Sequence, residues 1–183
     1  MGSRTASSTR KAPRAGPVSV DLVVVSLHNQ KVQVLMESAA ASRRRGLILP
    51  WGTPARGEAL DAAAARIAKN TLGFVPGWIE QAGAFSDGTG HPGNAVVSVC
   101  YVAVVPWESS DVSQTWVDAH PAPVMPDRQR RMLGAAISAL RHRLEHAPIA
   151  FSMLSREFTL SELQQAYETM LARRLHKASF RRA

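Results

Sequence analysis

The 183-residue sequence contains one cysteine, so it can form no internal disulfide. Cys100 sits in the apolar run 95–105 (AVVSVCYVAVV), where a lone thiol reads as buried packing. No apolar stretch reaches the roughly 18 residues of a membrane span. Residues 1–16 are rich in Ser, Arg and Pro and lack the apolar segment of a signal peptide. A soluble cytoplasmic protein with no membrane partner is expected. The six histidines are scattered, and none joins carboxylates or the cysteine at a metal-ligand spacing, so no metal site is expected. No internal repeat is visible, and no nucleophile-elbow pattern supports a Ser/His/Asp triad.

Acidic residues are missing from both ends. Residues 1–16 carry Arg4, Arg10, Lys11 and Arg14, and residues 172–183 carry Arg173, Arg174, Lys177, Arg181 and Arg182, with no acid in either stretch. These nine cations exceed the whole formal charge of +8, so the body between them is close to neutral. Such a distribution points to contact with a polyanion at the ends rather than over the whole surface.

Hydrophobic residues make up 45% of the chain, a globular composition. The length admits one ordinary domain, or a domain of about 130 residues with a small module attached. Residues 1–16 read as a disordered basic tail. Two β-branched strands follow, 18–27 (VSVDLVVVSL) and 31–36 (KVQVLM), then a loop rich in Pro and Gly around 50–57. Leu60, Ala64, Ile67, Ala68 and Leu72 recur at helical spacing, which predicts a helix over 58–72 with Gly73 at its stop. Strands are expected over 79–85, 95–105 and near 114–117. From Asp127 the pattern turns helical, with Leu133, Ile137, Leu140 and Leu144 opposite Arg130, Arg131, Arg141 and Arg143. This reads as a linking helix over 127–147 between a domain at 17–126 and a module at 148–183.

Within the first domain, Gly52, Glu58, Arg66, Ala68, Gly73 and Phe74 carry a specific spacing. It resembles the Nudix hydrolase box: Gly, five residues, Glu, seven residues, then a helix bearing Arg, three Glu and a closing Gly. In that family the helix glutamates hold divalent cations against a pyrophosphate. Their positions are occupied here by Ile67, Asn70 and Thr71, none of which offers the anionic oxygen that Mg²⁺ requires. The resemblance therefore implies a Nudix-like fold without hydrolysis. Arg45 and Arg56, flanking the loop, are the remaining phosphate partners for a ligand. Glu58, Asp87 and His91 complete the candidate ligand-binding set with Trp51, which could stack on an adenine or cap the fold.

In the C-terminal module, Thr159-x-x-Glu162 is a capping box that starts a helix. A basic turn at 172–175 and a second short helix from Lys177, with Phe180 facing inward, give the layout of a helix-turn-helix. A degenerate Nudix domain, a long helix and the segment PIAFSMLSREFTLSELQQAYETMLARRLHKASFRR together resemble the NrtR family of Nudix-related regulators of NAD metabolism. In the loop 85–95 the NrtR-family regulators are rich in Arg; here Gly90, Gly93 and Ala95 stand in place of those arginines, while Asp87 and Pro92 remain. The resemblance implies an α/β (α+β) fold: a mixed-sheet α/β/α sandwich followed by a small winged helix, with Phe158, Leu160, Leu163, Tyr167 and Phe180 as its core. It places Thr159 and Ser161 near phosphates and Arg173, Lys177, Ser179, Arg181 and Arg182 toward double-stranded DNA. The family's β-hairpin wing lies beyond the point where this sequence ends, at Ala183, so a module lacking its wing is expected. Implied as well are a homodimer, ADP-ribose or a related nucleotide as effector rather than cofactor, and repression of NAD biosynthesis genes. The competing readings are a Nudix hydrolase of a nucleoside diphosphate derivative and a ligand-binding protein that has lost DNA binding.

Overall fold

The computed structural model describes residues 17–39, 46–86, 88, 90–111 and 113–180. Seven strands form a mixed sheet: β1 (Val18–His28), β2 (Lys31–Ser38), β3 (Leu47–Ile48), β4 (Trp51–Gly52), β5 (Ile79–Phe85), β6 (Val97–Val104) and β7 (Thr115–Asp118). The order along the sheet is β3-β2-β1-β6-β5, with β4 pairing β1 and β7 pairing β2. β1 and β6 run parallel, from Val18 opposite Val97 to Val25 opposite Val104, and the other pairs are antiparallel.

Both central strands are apolar on both faces, as a sheet covered on two sides requires. Their side chains alternate between two cores. Val20, Leu22 and Val24 of β1 and Val99, Tyr101 and Ala103 of β6 pack with Ala63, Ala64, Ile67 and Ala68 of α1 (Leu60–Leu72). Val23 and Val25, with Cys100, Val102 and Val104, pack on the other face with Met132, Leu133, Ala136, Ile137 and Leu140 of α2 (Asp127–Leu144). The expected α/β/α sandwich is the architecture found. Cys100 is fully buried, and burial pushes its thiol well above the usual range. It serves as packing.

α2 is more than the link expected from its pattern. Its apolar stripe is the second layer of the sandwich, and Leu140 is wholly buried. The same core continues into the C-terminal module through Ile149, Ala150 and Met153 of a 3-10 segment and Met170 of α3 (Leu160–Leu171). The polar flank and the preceding prolines conceal this in the sequence, because an amphipathic stripe looks alike whether it covers a sheet or joins two modules.

Residues 58 and 59 precede α1 rather than opening it; Ala59 is its extended N-cap. In the C-terminal module, α3 is followed by a turn and by α4 (Lys177–Phe180). Tyr167 and Phe180 meet edge to face with ring centroids 5.5 Å apart, which turns Phe180 inward as expected. Phe158 and Leu160 are not core: they are 36% and 46% exposed, and Phe158 packs on Phe151, which is also exposed. Among the described residues, the buried positions of this module are Ile149, Ala150, Met153, Ala166 and Met170. Small and flexible apolar residues seat α3 against α2, leaving the phenylalanine outside.

Candidate functional site

Around the box, the loop 49–58 is shaped by close contacts. Gly52 lies directly over the helix, where an added Cβ would stand 3.2 Å from two carbons of Ile67. Ile67 is thus a core residue filling the space under the loop, only 4% exposed. Asn70 faces solvent. The Thr71 hydroxyl donates to Glu37 at 3.3 Å, and the Thr71 carbonyl accepts from Gln114 at 3.2 Å.

Glu58, expected in the ligand-binding set, is engaged within the protein. Its two oxygens accept from Arg66 Nε and Nη2, both at 2.7 Å, and Oε2 also accepts the Ala55 amide at 2.7 Å. Arg66 additionally donates to the Thr53 carbonyl at 3.0 Å. The Arg66 bonds, then the Ala55 amide, pull the Glu58 carboxyl down to about 2. This pair is a brace holding the loop to α1. Among the described residues, no group of three or more His, Cys, Asp or Glu could hold a metal ion. The donor set that a Nudix metal needs does not fit these residues.

His91 was expected at the ligand and is instead buried. Its Nδ1 accepts from the Gly93 amide at 3.0 Å, leaving Nε2 to donate to Asp21 Oδ1 at 2.9 Å. Both ring nitrogens are therefore committed. Asp21 also accepts from Ser19 Oγ and from Gln129 Nε2, each at 2.8 Å. The hydroxyls of Ser19 and Ser98 share a bond of 2.8 Å, and Arg128 donates to Ser98 Oγ at 3.2 Å and to the Ala95 carbonyl at 2.8 Å. Gln129 accepts the Leu49 amide at 3.0 Å. All six side chains belong to buried residues. A carboxylate buried at this depth requires such partners. The result ties β1, β6, the loop around His91 and the first turn of α2 together. Sequence reasoning missed this network. Its one visible signal was Asp21, a lone acid inside an otherwise apolar strand.

Trp51 is half-buried and its indole packs against Gly93, where an added Cβ would come within 2.1 Å of the ring. Its ring also meets His91 edge-on at 4.9 Å. With Trp51 in this position, a side chain at 93 would have to displace the indole. Arg56 is exposed on the turn. Arg45 and Asp87 lie outside the described residues.

On the C-terminal module, Thr159 caps α3. Its hydroxyl accepts the Glu162 amide at 3.2 Å, and its backbone N–H donates to the Glu162 carboxylate at 2.6 Å. The capping box is complete, and Thr159 is engaged within it rather than free for a phosphate. Ser161, Arg173 and Lys177 do come together. They line one open depression of about 630 Å³ with Gln164, Gln165, Arg174 and one acid, Glu168, whose carboxylate lies 3.8 Å from Arg174, so cations outnumber the acid three to one. The turn is made by Ala172 in left-handed backbone (φ 52°) and by Glu168, whose carboxylate accepts from the Leu175 amide at 2.8 Å and from Gln164 at 3.0 Å. Those bonds, the Leu175 amide first, hold the Glu168 carboxyl below its usual range. Lys177 and Ser179 fall within α4, though the Ser179 side chain is not described, and Arg181 and Arg182 lie outside the described residues.

Residues 150–183 match the family model of the NrtR DNA-binding winged helix domain. The C-terminal module is thus similar to that DNA-binding domain over these residues. The whole chain is similar in structure to Shewanella oneidensis NrtR complexed with a 27mer DNA. The TM-score is 0.80 at 23% identity, over 91% of this chain and 81% of that one. A MutT/nudix family protein from Enterococcus faecalis matches with a TM-score of 0.71 at 19% identity, over 97% and 82% of the two chains. The NUDIX domain of the Shewanella NrtR complexed with ADP ribose matches with a TM-score of 0.57 at 20% identity, over 74% and 94%. These likenesses give the fold: a Nudix-like sandwich followed by a winged-helix module. No curated protein matches the sequence.

Proposed function

We propose that the chain is a DNA-binding transcriptional regulator whose Nudix-like domain senses ADP-ribose or a related nucleotide without hydrolysing it. The observation that carries this is the pairing of an NrtR winged helix, with Ser161, Arg173, Arg174 and Lys177 gathered on one face, with a box helix whose carboxylate positions hold Ile67, Asn70 and Thr71. Cations and a hydroxyl on one depression suit phosphate oxygens. A box without hard anionic ligands cannot neutralise a pyrophosphate through Mg²⁺. The similar NrtR structures, one with DNA and one with ADP ribose, support both halves of the reading. Arg45 and Arg56 are the proposed phosphate partners of the nucleotide, and Asp87 and Trp51 are proposed as further members of the set. Arg181 and Arg182 are proposed as further DNA contacts on their charge. The regulator acts as a cytoplasmic homodimer that represses NAD biosynthesis genes.

Two measurements test this. Anisotropy of a labelled fragment from upstream of the gene, with excess nonspecific DNA, should show tight binding that ADP-ribose weakens. Turnover of ADP-ribose with Mg²⁺ or Mn²⁺ should not rise above a blank. Measured metal-dependent turnover would overturn the sensor reading, and binding no tighter than nonspecific would overturn the regulator.

A further inference from the structure

The tip of the first hairpin reaches the winged helix. β1 and β2 are joined by two residues, Asn29 and Gln30, between the paired His28 and Lys31. Both carry left-handed backbone, with φ 49° and 59°, and both are exposed. Two-residue turns of this hand favour Asn-Gly, because glycine takes positive φ without strain. Here a glutamine occupies the glycine position. Among the described residues its amide has no hydrogen-bond partner, so the fold gains nothing evident from it.

Its place suggests what the side chain is for. Asn29 and Gln30 border α3 at Gln165 and Thr169. Gln30 also lines the basic depression that holds Ser161, Arg173 and Lys177, and it is the one residue of the Nudix-like domain that does so among the described residues. We propose that the β1–β2 tip is a second DNA-contacting element, with the Gln30 amide bonding a backbone phosphate beside those gripped by Ser161, Arg173 and Lys177. The partner is the sugar-phosphate backbone of a duplex. Neutral amides are among the side chains that bond phosphate oxygens, and such contacts set register and orientation without reading sequence. The sensing domain thereby touches the same DNA as the reader, so its posture bears directly on affinity. This inference rests on the depression being the DNA face.

The test uses the full chain and a labelled mixed-sequence duplex, with anisotropy read at several KCl concentrations and thermal unfolding read in parallel. Gln30→Gly relieves the left-handed turn and should raise the melting midpoint by a few degrees. It should also weaken duplex binding by roughly two- to tenfold, the value of one hydrogen bond. Its salt dependence should stay that of the wild type, because a neutral amide releases no counterion. Gln30→Lys should tighten binding and steepen the slope of log K against log salt by about 0.9. Lys177→Gln is the control for the depression and should weaken binding and flatten the slope. If both Gln30 variants bind like the wild type while Lys177→Gln weakens binding, the hairpin proposal is overturned and the DNA face stands. If Lys177→Gln also leaves binding unchanged, the DNA face and the hairpin proposal fall together.

Discussion

Arg141 of α2 donates from Nε to the carbonyl oxygen of Met170, in the last turn of α3, at 2.8 Å. A cation at a helix C-terminus satisfies a carbonyl left without an intrahelical partner and complements the helix dipole. It also fixes the turn of the winged helix to the layer that covers the sheet. Arg141→Met should destabilise the C-terminal module by about 1–2 kcal/mol. Amide hydrogen exchange should quicken along α3 while β1 and β6 keep their protection.

Asp21 anchors the loop around His91 to the start of α2. Asp21→Asn keeps the shape but loses charge-assisted bonds from His91 and Gln129. It should cost about 1–3 kcal/mol. A urea titration gives the loss, and faster exchange of the Gly93 amide would locate it in the loop. An unchanged midpoint would show that the network contributes shape alone.

The Glu58–Arg66 brace predicts a pH effect. The folded carboxyl is at about 2, against an ordinary value of 4.5. A value depressed by folding adds stability above the unfolded value, and that stability is lost as pH falls through the folded one. The urea midpoint of Glu58→Gln should lie below that of the wild type above pH 4.5. The gap should shrink with acid and close near pH 2. It will be modest, because solvent screens the pair.

Ala172 ends α3 with φ 52°, a conformation that costs a residue with a Cβ about 1 kcal/mol. Its side chain is exposed. Ala172→Gly should therefore stabilise the helix-turn-helix by about 0.5–1 kcal/mol, read as a higher denaturation midpoint.

Glu145 lies 3.6 Å from Arg173 across an exposed pair. Glu145→Gln should leave stability within about 0.5 kcal/mol. It should tighten DNA binding, because Arg173 no longer shares its charge with a carboxylate and one anion is removed from beside the phosphates. Salt-dependent anisotropy measures this.

The elements themselves were legible. The apolar, β-branched runs of β1 and β6, the three- and four-residue spacing of α1 and the Thr159–Glu162 box each report on neighbours close in the chain, and each forms its element. The box spacing revealed the fold and the absence of its carboxylates together. Partnerships between distant residues were not legible. Glu58 reads as a ligand residue until Arg66 is seen across two of its oxygens. His91 reads as a loop histidine until Asp21, 70 positions earlier, is found beneath it. Phe158 and Leu160 read as core because they are large and apolar, yet Ala166 and Met170 take the buried side of α3.

By itself the sequence determined the strand and helix periods, the capping of α3, the basic ends and a box helix without anionic oxygen. Those properties are local, set by side-chain chemistry and the repeat of the backbone. Tertiary structure decided which face of each element is covered. It made α2 a layer of the sandwich, closed Asp21 within a polar network, and brought Gln30 beside Arg173 and Lys177. These outcomes depend on how sheet and helices stack in space, and that arrangement minimises exposed apolar surface over the whole chain at once.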